Sequence, residues 1–192
     1  MRSNILTLAF AAAGAMATQT VTLTPEKATT ILKDVIDTLQ TTGDLRVKLQ
    51  QATPKLDAEN AAPVYNSLAE GFKHALSLLP PSEATVDVVI SPAPTAAQVA
   101  AICALGPKFL AAGNHASDGL ASVPDFQDQN NGPARNAALT LGAALESLGW
   151  SLNIFHWDFI NAGVMDKCDK AAQTAFGDIP LKLMNAGDAI FY

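Results

Sequence analysis

Residues 24–39, TPEKATTILKDVIDTL, decide the fold class. Thr24 is a helix-capping residue, and Pro25 has the fixed φ and missing N–H that suit the first helical position. Ile31, Leu32, Val35, Ile36 and Leu39 follow at spacings of one, three and four, which lays one apolar stripe along a helix. Gly43 is expected to interrupt or end that helix. Asp44 then caps a short continuation carrying Leu45 and Leu49, and Pro54 stops it.

The same period recurs downstream. Val64, Leu68, Phe72 and Leu76 repeat every four residues in a helix expected to start near Asp57, which Leu79 extends and Pro80-Pro81 end. Thr95-Ala96-Ala97-Gln98 has the form of a capping box ahead of inward-facing Val99, Ile102, Cys103, Phe109 and Leu110. Pro107 should kink or divide this helix near Leu105, and its end is expected around Ser122, before Pro124. A polar turn at 124–133, with Phe126 as its one apolar anchor, leads to Pro133, which restarts helix. Ala138, Leu141, Leu145 and Leu148 form the next stripe, and Gly149 either breaks it or is tolerated within a long helix. Leu152, Phe155 and Phe159 continue the apolar face. Gly163 and Asp166 mark a break before a short segment with Cys168, Ala172 and Phe176, and Asp178-Ile179-Pro180 is expected to open a last helix with Leu183 and Met184 inward. Residues 82–94 read as an internal proline-rich linker crossing the surface: Val86 to Ile90 is extended in character, with no second strand in sight to pair it.

The sum is an all-α protein, an antiparallel bundle of five to seven amphipathic helices in a single domain at 18–192. Residues 1–17 read as a secretory signal peptide, with Arg2 before the apolar run ILTLAFAAAG and small residues at Ala15 and Ala17. That run is too short for a membrane span, which needs about 20 apolar residues, and no transmembrane segment is expected after it. Of 192 residues, removal of the leader leaves 175, with 11 basic and 18 acidic side chains and a net charge of −7. That sign, without a basic cluster, excludes nucleic acid as a partner. Cys103 and Cys168, the only two cysteines, are expected to pair in an oxidising compartment.

Enzyme signatures are missing: no Gly-x-Ser-x-Gly, no His-Glu-x-x-His and no phosphate-binding glycine loop. Neither a cofactor nor a metal is expected. Of the three histidines, His74, His115 and His156, only His115 with Asp118 has a spacing that shares a helix face; His156 and Asp158 are two apart. Asp166 and Asp169 beside Cys168 lack calcium-loop spacing, and Asp125, Asp128, Asn130 and Asn131 read as a solvated turn. Trp150, Phe155, Trp157 and Phe159 place four of the twelve aromatics within ten residues. Phe155 and Phe159 share a face, and Trp157 points elsewhere, as the candidate for surface exposure.

The signal peptide, the opening helix TTILKDVIDTLQTTGD, the middle segment ICALGPKFLAAGNHASDGLASVPDFQD and the closing aromatic IFY together resemble the fungal family of hydrophobic surface-binding protein A and the cell-wall galactomannoproteins. The resemblance implies an extracellular helical bundle with an elongated apolar cavity. Such a protein binds fatty acids or similar lipids or adsorbs to hydrophobic surfaces, and some members associate with the cell wall. It implies no catalytic residues.

The functional expectation is therefore a secreted, non-enzymatic binder of an apolar small molecule such as a fatty acid, or of a hydrophobic surface. Its pocket is expected among Leu39, Leu68, Phe72, Ile102, Phe109, Leu145, Phe155 and Phe159. The rival is a structural or host-interaction protein with a filled core and Trp157 in an exposed patch. A third reading, a hydrolase around His115 or His156, needs a cleft holding one of them beside a Ser or Asp.

Overall fold

The computed structural model describes residues 19–82, 86–120 and 132–191; the expected leader and the polar turn around Phe126, with Asp125, Asp128, Asn130 and Asn131, lie outside them. The described residues are mostly helical. In chain order they form β1 (Gln19–Leu23), α1 (Pro25–Ala52), α2 (Ala61–Leu78), β2 (Val86–Ile90), α3 (Ala96–Cys103), α4 (Gly106–Ser117), α5 (Gly132–Asn161), a 3-10 turn at Met165–Lys167, and α6 (Lys170–Phe191).

Several helix boundaries follow from side-chain chemistry. The Thr24 hydroxyl accepts from the Lys27 N–H with Pro25 in the first turn of α1, and Thr95 and Gln98 close a full capping box on α3. Pro107 divides the next run as its ring requires, with α3 ending at Cys103 and α4 starting at Gly106. At the far end of α5 the Gly163 N–H donates to Ile160 O and the Val164 N–H to Phe159 O, a paired closure with Gly163 at φ 67°. Asp169 then caps α6 by accepting from the Ala172 N–H at 2.8 Å.

Five sequence expectations are corrected. Gly43 neither ends nor interrupts α1, which runs unbroken to Ala52. The Asp57 carboxylate accepts from the Glu59 and Asn60 N–H groups in a turn, so α2 starts later, at Ala61. α4 stops at Ser117, short of Ser122. Pro180 lies inside α6 and does not start it: buried Phe176, Ile179 and Leu183 hold both sides of the proline in one helix despite the lost hydrogen bond. Finally, the 82–94 segment is more than a linker. Val86–Ile90 is a strand paired in parallel with Gln19–Leu23, in register Gln19↔Val86 through Leu23↔Ile90, so the fold is helical with a two-stranded sheet rather than all-α. Val88, Ile90 and Leu23 are buried beneath it.

The five long helices form a closed ring, each packed on two neighbours in the order α1, α2, α5, α6, α4 and back to α1. Glycines allow its helices to approach closely, among them Gly149 and Gly43. A Cβ on Gly149 of α5 would stand 2.6 Å from the Pro180 carbonyl oxygen and 2.9 Å from the Met184 nitrogen of α6. A Cβ on Gly43 of α1 would stand 2.9 Å from the His115 carbonyl carbon of α4. Beside Gly43, Arg46 donates from Nε and Nη2 to the His115 carbonyl oxygen at 3.2 and 3.0 Å, placing a cation on the last turn of α4. The stretch Ala96–Ser117 is long and apolar enough by composition to cross a membrane. Here it is two helices divided at Ala104 and Leu105, packed on α1 and α6, with Val99, Ile102, Phe109 and Ala116 buried.

Cys103 and Cys168 form a disulfide across 65 residues, tying the end of α3 to the segment before α6. Reduction is expected to lower the unfolding free energy by about 2–5 kcal/mol, measured as a drop in urea midpoint with and without reductant. Gly149→Ala should destabilise by about 1–3 kcal/mol, since overpacking against fixed backbone exceeds the gain in helix propensity. Gly177→Ala, where the nearest atom to a new Cβ is His156 Cε1 at 4.0 Å, should instead stabilise by up to about 1 kcal/mol. Thermal melts of the two variants check the contrast.

Candidate functional site: the outer face of α5

The eight side chains expected to line a pocket are all buried. Leu39 comes from α1, Leu68 and Phe72 from α2, Ile102 from α3, Phe109 from α4, and Leu145, Phe155 and Phe159 from α5. They face the inside of the ring as the periodicity required. Several of the aromatic rings meet there. Phe109 stacks on Phe176 at 5.6 Å between ring centres, Phe155 meets Phe159 at 4.8 Å, and Phe159 meets Phe176 at 6.1 Å. The gap among these rings, with Leu32, Leu152 and His156, has a volume of about 10 Å³, room for one water at most. No fatty-acid chain fits in that gap. Mixed Leu, Phe and Ala positions interlock where a stripe pattern alone leaves the filling undetermined.

The acid–imidazole candidates separate as well. His115 Nε2 sits 2.8 Å from Asp44 Oδ1, on α1, while Asp118 pairs with Lys182 Nζ at 2.7 Å. The hydrogen bond from His115 holds the Asp44 carboxyl below its ordinary value. The pair thus links α1 to the end of α4, with no serine among its hydrogen-bond partners. His156 packs on the Phe176 ring at 6.4 Å, and burial keeps its imidazole pKa below the usual value. Among the described residues no group of three potential metal ligands converges.

Among the described residues, two open grooves mark the outside. One of about 420 Å³ lies between the end of α4 and α6 and includes Asp118, Asp178, Leu181 and Lys182. The other, about 310 Å³, lies between α1 and α2, where the Thr38, Thr41, Thr42 and Ser67 hydroxyls all donate to carbonyls of their own helices. Neither gathers reactive groups.

The feature that stands out is on α5. Trp150 is 56% and Trp157 55% exposed, the largest side chains left in solvent among the described residues. Seven residues apart on a helix, they differ by about 20° in direction and about 10.5 Å in height. They therefore project side by side from one face. Half-buried Ile154 lies between them, with Ser147, Asn153 and Asn161 around them. From residue 147 to 165 the only ionisable side chains are His156 and Asp158. Asp158 is buried, and its pKa rises to about 7 through burial first and the facing Asp87 carboxylate of β2 second. The nearest exposed charge along this face is Glu146, one turn before Trp150. The sequence singled out Trp157; Trp150 carries the same signal, seven residues earlier.

Asp158 makes stability depend on pH. Its folded pKa of about 7 lies above the ordinary carboxyl value of 3.8, so the folded state binds the proton more tightly and stability falls as pH rises between those values. Relative to Asp158→Asn, the wild-type melting temperature should decline from pH 4 to pH 8; parallel curves would show that Asp158 is not held neutral.

In comparisons with protein-family models, curated proteins and solved structures, nothing matches this chain.

Proposed function

We propose that the protein is a secreted, non-enzymatic binder that adsorbs to a hydrophobic surface through the outer face of α5. The observation that carries this reading is the pairing of Trp150 and Trp157, each more than half exposed on one helix face. Exposed tryptophan is costly to leave in water, roughly 25 cal/mol per Å² of apolar area, and a two-ring patch gains when covered. The resemblance of the opening helix and middle segment to hydrophobic surface-binding proteins points the same way, as do the apolar leader and the disulfide, which suits an oxidising compartment. In this reading the helices are an antiparallel bundle, α1 returning through α2 and α5 through α6 by short connections. A fatty acid, if bound, lies against this face rather than inside the ring.

The test is adsorption of purified protein to alkyl-coated beads. Wild type should bind, and Trp150→Ala with Trp157→Ala should lose most binding with the melting temperature changed little, because both indoles are exposed. Saturable uptake of a fluorescent fatty acid that survives the double substitution would instead place the guest elsewhere and defeat this reading.

A further inference from the structure

We infer that the surface recognised by Trp150 and Trp157 is the ring face of an uncharged, extended β-1,4-linked polysaccharide, the two indoles stacking on pyranose rings one disaccharide repeat apart. This rests on the proposal that the α5 face is the binding surface, and it names the chemistry of the partner. Three observations favour it over other occupants.

The first is spacing. The i, i+7 placement sets the indoles about 10.5 Å apart along a straight helix, and two pyranose units of an extended β-1,4-linked chain have about that length. In such a chain alternate units are flipped, so the same ring face returns at every second unit, in step with the two tryptophans. The axial C–H groups of a pyranose face are slightly positive and meet the negative face of an indole, a contact of the same kind as aromatic packing.

The second is charge. The chain as a whole carries 18 acidic and 12 basic residues, yet residues 147–165 hold only two ionisable side chains, Asp158, which is buried, and His156, which packs on the Phe176 ring. A neutral stripe on an acidic protein suits a neutral polymer. A cationic partner would find its charges elsewhere on the surface, and an anionic membrane would meet repulsion from the rest of the chain. Around the rings Ser147, Asn153 and Asn161 offer hydroxyl and amide groups, which match the hydroxyl rim of a sugar and have no counterpart in a hydrocarbon surface.

The third is area. A tryptophan has about 250 Å² of surface, so exposures of 56% and 55% leave roughly 280 Å² of indole. Even with Ile154 added, this falls well short of the about 800 Å² per partner of a stable protein interface. A second copy of the chain is thus poorly served by this stripe, whereas a narrow polymer chain covers it fully and repeats along its length for further copies.

The experiment is co-sedimentation of the full secreted chain with crystalline cellulose and with chitin, alongside alkyl-coated beads and phosphatidylcholine vesicles. Wild type should be retained on at least one of the two polysaccharides. Trp150→Ala and Trp157→Ala should each weaken retention about tenfold, the loss of one stacked contact. The decisive variant is Ile154→Trp combined with Trp157→Ala. It keeps two indoles on the face but shortens their spacing to about 6 Å, so polysaccharide retention should fall as in Trp157→Ala while bead adsorption survives. Circular dichroism melts confirm that each variant is folded, and any variant that is not is replaced by its Trp→Ser counterpart.

Retention on beads or vesicles without retention on either polysaccharide overturns this inference and leaves the hydrophobic-surface reading standing. Retention on none of the four removes both. Polysaccharide retention that ignores the spacing change, or survives both alanine substitutions, also overturns the inference.

Discussion

The closed ring depends on helices coming closer than ordinary side chains allow. At Gly149 the backbone of α5 lies against the Pro180 carbonyl of α6, and at Gly43 the backbone of α1 lies against the end of α4. With similar approaches of Gly106 to Ala172 and of Gly187 to Gly142, they hold α4, α5, α6 and α1 close around a centre of buried Leu, Phe and Ala. The aromatic stack of Phe109, Phe176, Phe159 and Phe155 is a consequence: with the helices this near, each ring finds a neighbour at 4.8 to 5.6 or 6.1 Å. A bundle with alanines at those glycines would stand wider, and a wider ring would leave the kind of internal space that the apolar stripes alone suggest.

The outer surface of the described residues is mostly ordinary. The paired groups found there tie helices together. Asp44 with His115 joins α1 to α4, and Lys182 with Asn114 and Asp118 joins α6 to α4. Surface pairs of this kind contribute little individually. The outer face of α5 differs in carrying two large apolar rings that the described residues leave more than half exposed.

Local chemistry was legible in the sequence, and contacts made over distance were not. The Thr24 cap, the Thr95–Gln98 box and the division at Pro107 are written within four or five neighbouring residues, and each stands in the structure where its residues put it. The β1–β2 pair was illegible because its two halves are 67 residues apart and each alone is a short alternating run; Val86–Ile90 reads as a loop until Gln19–Leu23 is set beside it. Gly43 and Pro180 were misread for a related reason. Both are helix breakers by local preference, at about 1 and 3 kcal/mol, and both are overruled by what packs on either side of them. The inward direction of Leu39, Phe72 and Phe159 was readable from period alone, but whether they enclose space depends on helix separation, which the period does not encode.

The same reasoning explains why the two tryptophans are the informative residues on α5. A helix with Leu141, Leu145, Leu148, Leu152, Phe155 and Phe159 buried on one side has already satisfied its packing. Nothing in folding then calls for indoles on the opposite side, where lysine or glutamate would solubilise the helix at no loss of core. Their placement seven residues apart, with amides and a hydroxyl between turns and no exposed acidic or basic side chain from 147 to the end of the helix, is a pattern in residue type and in phase together. A core requirement accounts for neither. Recognition of a flat, uncharged and periodic partner accounts for both, because such a partner needs rings at a fixed rise, a common direction and no desolvation of charge when the face is covered.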